Sequence, residues 1–125
     1  MVDVLDKTRQ DLDPKLKEIV EKDERNFVYC GICSHVLTRE VERIEVSGSH
    51  DHHCTNPFGL RFHIGCFAEA LGCDISGEPM AADTWFPGFR WRHASCAECH
   101  QHLGWYFEAG ERYFYGLILD RIQHD

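Results

Sequence analysis

The residues best suited to chemistry are two cysteine pairs with CxxC spacing. They are Cys30 with Cys33 and Cys96 with Cys99. Four thiolates are the set that a tetrahedral zinc ion takes, and each short turn lets both sulfurs face one metal. Two unrelated thiol pairs and a redox-active CxxC are the alternatives. The spacing predicts one structural zinc ion per chain, whose four protein ligands leave no open position for a catalytic water.

The number of residues between the two pairs distinguishes this site from a zinc ribbon. Between Cys33 and Cys96 lie 62 residues, whereas a ribbon has about 15 to 20. We therefore expect the metal to tie two distant hairpins together. Closing so long a loop restricts the unfolded chain, so zinc-binding free energy should contribute directly to folding.

Three cysteines lie outside the pairs. Cys66 belongs to an alternating apolar segment and is predicted to be a small core residue, and Cys73 has no partner at CxxC spacing. Cys54 follows a run that contains three histidines, residues 49–53. A second metal site there would need adjacent residues of a loop to converge on one ion, and solvated histidines are the commoner outcome.

The three tryptophans of the chain are the second feature with chemical meaning. Trp85, Trp91 and Trp105 fall within 21 residues. Plain core packing is the ordinary explanation for clustered aromatic residues. However, Trp85 lies in a turn-forming segment, while Trp91 and Trp105 occupy alternating positions on the predicted strands that flank the second cysteine pair. Since an indole has both an apolar face and an N–H group, this arrangement favours a pocket for a small, flat ligand.

Most of the chain has the two-residue apolar period of β-strands. The alternation is clearest in the segments 60–66, 89–93, 103–107 and 113–117. The turn signals between segments are Ser47-Gly48, Asn56-Pro57, Ser76-Gly77, Pro87-Gly88 and Ala109-Gly110. We therefore predict a mainly β domain over residues 27–125.

The first 26 residues differ in pattern from the rest. They hold 8 acidic and 6 basic side chains. Asp13 and Pro14 are typical of a helix start, and apolar residues then recur at helical spacing. The prediction is a charged N-terminal helix or arm over residues 1–26.

Composition excludes several classes of function. With 125 residues and 43% hydrophobic content, a single domain is expected. The formal net charge is −8, and Lys and Arg are scattered, so no nucleic-acid partner is expected. No apolar run is long enough for a membrane span or a signal peptide. The expectation is a cytoplasmic protein with no membrane partner, in a compartment that keeps its thiols reduced.

The motifs together resemble the thalidomide-binding domain of the cereblon family, also called the CULT domain. The matching segments are TWFPGFRW at 84–91, the second cysteine pair, HLGWYF at 102–107 and FYGL at 114–117. NPFG at 56–59 matches a further loop of that family, so the resemblance covers residues 28–122. It implies a β-tent, in which two antiparallel sheets meet at a large angle and are pinned by the four-cysteine zinc site.

The resemblance also implies a ligand. That ligand is a glutarimide or a similar cyclic imide, as in thalidomide, and more loosely a pyrimidine such as uracil or uridine. A cyclic imide at the C-terminus of a modified protein would present the same ring. A free-standing module of bacterial type is the closer comparison, because 125 residues leave no room for the protease-like and adaptor-binding parts of the animal protein. No ligase adaptor is therefore expected as a partner.

The ligand-binding residues follow from the same resemblance. It implies that the three tryptophans form the walls of a cage and that Phe107 forms its floor. Asn56 and Pro57 would form a lid loop across the mouth of the cage. Asp83 and Thr84 would form a strip before Trp85, whose backbone contacts the polar edge of the imide. The implied set is Asn56, Pro57, Asp83, Thr84, Trp85, Trp91, Trp105 and Phe107. Animal members carry a histidine in place of Asp83. A carboxylate cannot donate to an imide carbonyl unless it is protonated, so the expected polar contacts are those of the backbone.

Two other functions compete with imide binding. An aromatic cage in an acidic domain also suits a methylated ammonium group. A methionine sulfoxide reductase of related β-tent type carries two CxxC pairs as well, but it needs a nucleophilic cysteine after the second pair, and here no cysteine follows Cys99. The sequence therefore predicts a binding module with no catalytic residues rather than an enzyme.

Overall fold

The structure, a computed structural model, describes residues 26–125, and this part of the chain is mainly β as predicted. The helix expected within residues 13–25 lies outside the described residues. Nine strands are described, joined by two short 3-10 turns, Glu40–Glu42 and Leu119–Arg121. The strands are β1 Phe27–Cys30, β2 Val36–Arg39, β3 Asp51–Thr55, β4 Arg61–Phe67, β5 Cys73–Met80, β6 Arg90–Cys96, β7 His102–Ala109, β8 Arg112–Ile118 and β9 Ile122–His124.

The strands form two antiparallel sheets. The smaller sheet has the order β2-β1-β9, and the larger has the order β3-β4-β8-β7-β6-β5. The four segments with the clearest alternation in the sequence correspond to β4, β6, β7 and β8, so their prediction is confirmed. Each cysteine pair lies at the turn of a hairpin, one between β1 and β2 and the other between β6 and β7. The two cysteine pairs therefore belong to two distant hairpins, as expected.

Two apolar clusters lie in the interior. One joins the two sheets, because Val28 and Leu37 of the smaller sheet pack with Phe67, Leu103 and Leu117 of the larger. The other lies beneath the tryptophans and contains the buried rings of three phenylalanines, Phe86, Phe107 and Phe114. Cys66 is fully buried in this second cluster, at 0% exposure, which confirms its prediction as a core residue.

Two predictions about loops are wrong. Ser76 and Gly77 do not form a turn between strands but lie inside β5, where the pairing with β6 shifts register between Ser76 and Met80. This is a bulge, in which the positive φ of 87° at Gly77 bends the strand without ending it. The histidine-rich segment treated as a loop is mostly the edge strand β3, which pairs with β4 from Asp51 to Thr55. Its polar composition hides the strand, because its outer side is exposed.

Close approach of β7 and β8 depends on two glycines. A Cβ atom on Gly104 would lie 2.0 Å from the carbonyl oxygen of Gly116. A Cβ atom on Gly116 would lie 3.0 Å from the ring of Phe107 and 2.9 Å from the side chain of Ile64. Gly104 therefore lets the two strand backbones approach each other, and Gly116 makes room for the Phe107 ring, which is 1% exposed.

Candidate metal centre and tryptophan-lined cavity

The two cysteine turns have the same backbone geometry. In the first, the Cys30 N–H donates to the His35 carbonyl at 2.8 Å and the Ser34 N–H donates to the Cys30 carbonyl at 2.9 Å. In the second, the His100 N–H donates to the Cys96 carbonyl at 2.9 Å. Ser34 and His100, each directly after the second cysteine of its pair, have left-handed φ angles of 64° and 66°. This repeated turn directs both sulfurs of each pair to one point.

The four sulfurs converge without forming disulfides. Cys30 Sγ lies 3.6 Å from Cys99 Sγ, and Cys33 Sγ lies 3.5 Å from Cys96 Sγ. All four lie within 4.8 Å of one another. A zinc ion bound tetrahedrally at about 2.3 Å would hold its sulfurs about 3.8 Å apart. The cluster could therefore hold one metal ion of that size.

The thiols of the first turn differ in acidity. Burial raises the pKa of Cys30, but hydrogen bonds from the backbone N–H groups of Cys33 and Ile32 outweigh it and bring the pKa down to about 7. At Cys33 the backbone N–H of His35 also lowers the pKa. Burial and hydrogen bonds shared with the other three sulfurs nevertheless raise it to about 12. The backbone N–H groups of this turn therefore favour the thiolate form of Cys30.

A cavity of about 350 Å³ opens beside the second apolar cluster. The three tryptophans line it together, and so do four of the other residues implied by the family resemblance. Its lining consists of Asn56, Pro57, Phe58, Phe62, Asp83, Trp85, Trp91, His93, His102, Trp105 and Phe107. The indoles therefore enclose a cavity rather than filling a seamless core.

The tryptophan rings are held by both stacking and hydrogen bonds. Trp85 and Trp105 meet edge to face with ring centroids 4.7 Å apart, and Trp105 is only 9% exposed. The indole N–H of Trp85 donates to the Thr55 carbonyl at 3.1 Å, and that of Trp91 donates to the Ala82 carbonyl at 2.7 Å. Since these donors already have backbone partners, both rings are fixed in orientation and offer mainly apolar surface.

The loop at the cavity mouth joins β3 to β4. Asn56 Oδ1 accepts hydrogen bonds from the backbone N–H groups of Phe58 and Leu60, both at 2.9 Å. Gly59 takes a left-handed φ of 85°, and its N–H donates to the Asn56 carbonyl at 3.0 Å. The loop is therefore ordered by one asparagine, while the Phe58 ring beside the cavity stays 89% exposed.

The strip before Trp85 contains Asp83 and Thr84. Asp83 lines the cavity and has a left-handed φ of 58°. Thr84 Oγ1 lies 3.4 Å from both the backbone N and the carbonyl O of Phe86. The Thr84 side chain therefore stabilises the backbone turn at the start of the Trp85 loop. Thr84 is not among the residues that line the cavity.

Comparison with curated proteins gives the family. No family model matches the chain. A 109-residue alignment with protein cereblon of Drosophila persimilis is 33% identical and covers 80% of this chain. Protein cereblon of Drosophila yakuba is 33% identical over 111 residues, or 82% of the chain, and that of Gallus gallus is 35% identical over 76 residues, or 54%. This chain contains a cereblon-like domain. It spans about 18% of the length of the two Drosophila proteins and 17% of that from Gallus gallus.

The cavity of this cereblon-like domain includes four residues that the sequence analysis missed: Phe58, Phe62, His93 and His102. The two-residue alternation of strand side chains indicates His93, because it follows Trp91 by two residues. His93 is paired with Trp105 across the strands. His102 Nε2 lies 2.8 Å from the Gly104 carbonyl, and burial lowers the pKa of this histidine. His102 is therefore mainly neutral near pH 7.

Nothing in the described part of the cereblon-like domain resembles a membrane-crossing helix: none of its helical segments has the required length and apolar character.

Proposed function

We propose that this cereblon-like domain is a binding module, rather than an enzyme, that holds cyclic imides in the tryptophan-lined cavity. The observation that carries the proposal is the convergence of Trp85, Trp91 and Trp105 on one cavity of about 350 Å³. That volume suits a ring of glutarimide size with a substituent extending from the mouth. A uracil or uridine ring, or a cyclic imide at a protein C-terminus, would offer the same kind of edge.

A glutarimide has two chemically different sides, and the cavity offers a match to each. Its methylene groups are apolar and would pack against the indole faces, with Phe107 as the floor. Its N–H donor, set between two carbonyl acceptors, would pair with backbone groups of residues 83–85. Because Asp83 holds the strip in a left-handed turn, that backbone is bent where it borders the cavity. Each hydrogen bond in such an enclosed site is worth about 0.5–1.5 kcal/mol.

We also propose that the four-cysteine cluster binds zinc. Cys30, Cys33, Cys96 and Cys99 are soft ligands, and their separations of 3.5–3.6 Å suit Zn–S bonds. The role is structural, since all four positions belong to the protein. Cys96 ends β6, the strand that carries Trp91, so the metal would fix the position of one cavity wall.

One observation favours the competing cation cage. Asp83 lines the same cavity as the three indoles, and a carboxylate beside aromatic faces suits a quaternary ammonium group. The uncharged backbone groups of the bent strip at residues 83–85 favour an imide ligand. The negative charge of Asp83 favours a cationic ligand. The two ligand classes therefore have to be compared directly.

The test is a pair of titrations of the zinc-loaded protein, followed by tryptophan fluorescence. Glutarimide should change the emission saturably at micromolar to millimolar concentration, because about eight heavy atoms supply at most roughly 8 kcal/mol. Trimethyl-lysine should bind at least about tenfold more weakly. Tighter binding of trimethyl-lysine, or no saturable response to glutarimide, would reject the imide proposal. Val41→Ser, an exposed change outside both the cavity and the cysteine cluster, serves as the control and should leave the glutarimide response unchanged.

A further inference from the structure

A second group of metal-ligating side chains lies on the outer face of the β3–β4 hairpin. Asp51 and His53 alternate along β3, and His63 lies on β4. The alternate residues of the same strand, His52 and Cys54, are less exposed than Asp51 and His53. The cluster is therefore separate from the four-cysteine centre and is outside the cavity lining.

Strand pairing brings the three side chains together. His53 and His63 are direct partners across the two strands, and their rings stack with centroids 4.1 Å apart and planes 11° apart. Asp51 Oδ2 lies 2.6 Å from His63 Nε2. One ligand atom from each residue lies within 4.8 Å of the others. Two imidazoles and a carboxylate on adjacent strands thus lie close enough together to share one ion.

Neighbouring groups hold this arrangement in a form suited to a cation. Ser49 Oγ donates to the Asp51 backbone carbonyl at 2.9 Å and lies 3.3 Å from Asp51 Oδ1, which leaves Oδ2 toward His63. Arg43, which lies near Asp51, is paired with Glu40 at 3.2 Å. The formal net charge of −8 further favours cations over anions.

We propose that Asp51, His53 and His63 form a second, surface metal site for a divalent first-row transition ion such as Zn²⁺. Two imidazoles and one carboxylate are ligands that such ions accept, and a solvent molecule would complete a tetrahedral set. The ion would replace the direct contact between His63 Nε2 and Asp51 Oδ2, and it would cross-link the edge strand β3 to β4. These strands carry the loop of residues 56–60 at the cavity mouth, but the metal site does not depend on what the cavity binds.

The test is a calorimetric titration with Zn²⁺ of protein whose four-cysteine centre is already filled and whose loosely bound metal has been removed by a mild chelator. The wild type should take up one further equivalent. His63→Asn and Asp51→Asn should each weaken that uptake by at least about 10- to 100-fold, the loss that even an outer-shell partner typically causes. The matched control is Asp74→Asn, which makes the same change as Asp51→Asn at an exposed position of β5 and should leave the second equivalent unchanged.

Two measurements keep folding separate from metal binding. Retention of the first zinc and an unchanged circular dichroism spectrum establish that each variant is folded. Imidazole NMR signals of His53 and His63 should shift on addition of Zn²⁺ to the wild type, independently of any variant. The proposal is overturned if the filled wild type takes up no further equivalent, if folded His63→Asn and Asp51→Asn bind it as tightly as the wild type, or if other histidines shift instead.

Discussion

At the scale of single residues, Asp83 has the strongest influence on what the cavity would accept. Its left-handed φ of 58° is one that Asp, Asn and His tolerate better than most residues. Its carboxylate accepts hydrogen bonds but donates none when ionised. This carboxylate would repel the carbonyl oxygen of an imide, whereas it would attract an ammonium group. The identity of residue 83 should therefore shift the balance between the two ligand classes.

Replacing Asp83 by Asn tests this directly. Asp83→Asn keeps the shape and the backbone preference but supplies an N–H donor, so glutarimide affinity should rise by about 2- to 12-fold, which corresponds to about 0.5–1.5 kcal/mol. Binding of trimethyl-lysine should fall. The control is Asp74→Asn, an exposed change of the same kind on β5, outside the cavity lining. A clear loss of glutarimide affinity in Asp83→Asn would mean that the carboxylate itself accepts the imide N–H.

At the scale of elements, the β3–β4 hairpin brings its loop to the cavity mouth. Its pairing runs from Asp51 to Thr55 against Gly65 to Arg61, so the loop begins directly where the ladder ends. The Thr55 carbonyl accepts the Trp85 indole N–H, which attaches the hairpin to one wall of the cavity. Asn56 then orders the loop through two backbone hydrogen bonds. The loop is thus held both by the Asn56 side chain and by the attachment of Thr55 to Trp85.

Two substitutions at Asn56 test whether its side-chain acceptor orders the loop. Asn56→Ala removes the acceptor of two hydrogen bonds, so we expect the ordered loop conformation to lose about 1–3 kcal/mol of stability. Imide binding should become several-fold weaker. Asn56→Asp keeps an acceptor at the same place and should bind imide more nearly as the wild type does. Hydrogen exchange at the Phe58 and Leu60 amides should accelerate only in the alanine variant. Equal exchange in both variants would show that Asn56 does not order the loop.

At the scale of the whole molecule, the four-cysteine centre joins the two sheets. Cys30 ends a strand of the smaller sheet and Cys96 ends a strand of the larger, and both are fully buried in the cluster that the sheets share. Apparent zinc-binding free energies of about 10–16 kcal/mol are comparable with the whole stability of a domain, about 5–15 kcal/mol. The fold and the metal should therefore be gained and lost together.

Removing one ligand or lowering the pH should release the metal and unfold the domain. Cys96→Ala leaves three thiolates without a closed site, so loss of zinc and a large fall in melting temperature are expected. The proposed zinc ion would hold its thiolates ionised in the folded state and so depress their pKa relative to the unfolded chain. The stability they supply is therefore lost as the pH falls.

Zinc release to a coloured chelator, followed with circular dichroism, measures both effects. Cys54→Ser is the matched control, because Cys54 is outside the cluster and should keep the metal. A well-folded Cys96→Ala protein without metal, or zinc retained equally at acid pH, would contradict this account.

The sequence predicted the parts of the molecule that have a strong local signal. The CxxC pairs are recognisable because a tetrahedral metal demands that spacing, and β4, β6, β7 and β8 are recognisable because one side of each strand is buried. The β3 strand was missed because its sequence, DHHCT, is polar, and the bulge at Gly77 was taken for a turn. Phe62 reaches the cavity through ring contacts with Trp85 and Trp105, which lie far from it in the sequence, and no local pattern contains these contacts.

The central claim is that the cavity recognises the imide edge of a ring, and one comparison tests it most directly. Glutarimide and N-methylglutarimide are titrated calorimetrically into the zinc-loaded protein under the same conditions. Methylation removes the donor and leaves a backbone carbonyl unpaired in an enclosed site, a loss of about 1–3 kcal/mol before any steric clash. We therefore expect the N-methyl compound to bind about 5- to 150-fold more weakly, or not measurably. Equal affinity for the two compounds would contradict imide recognition.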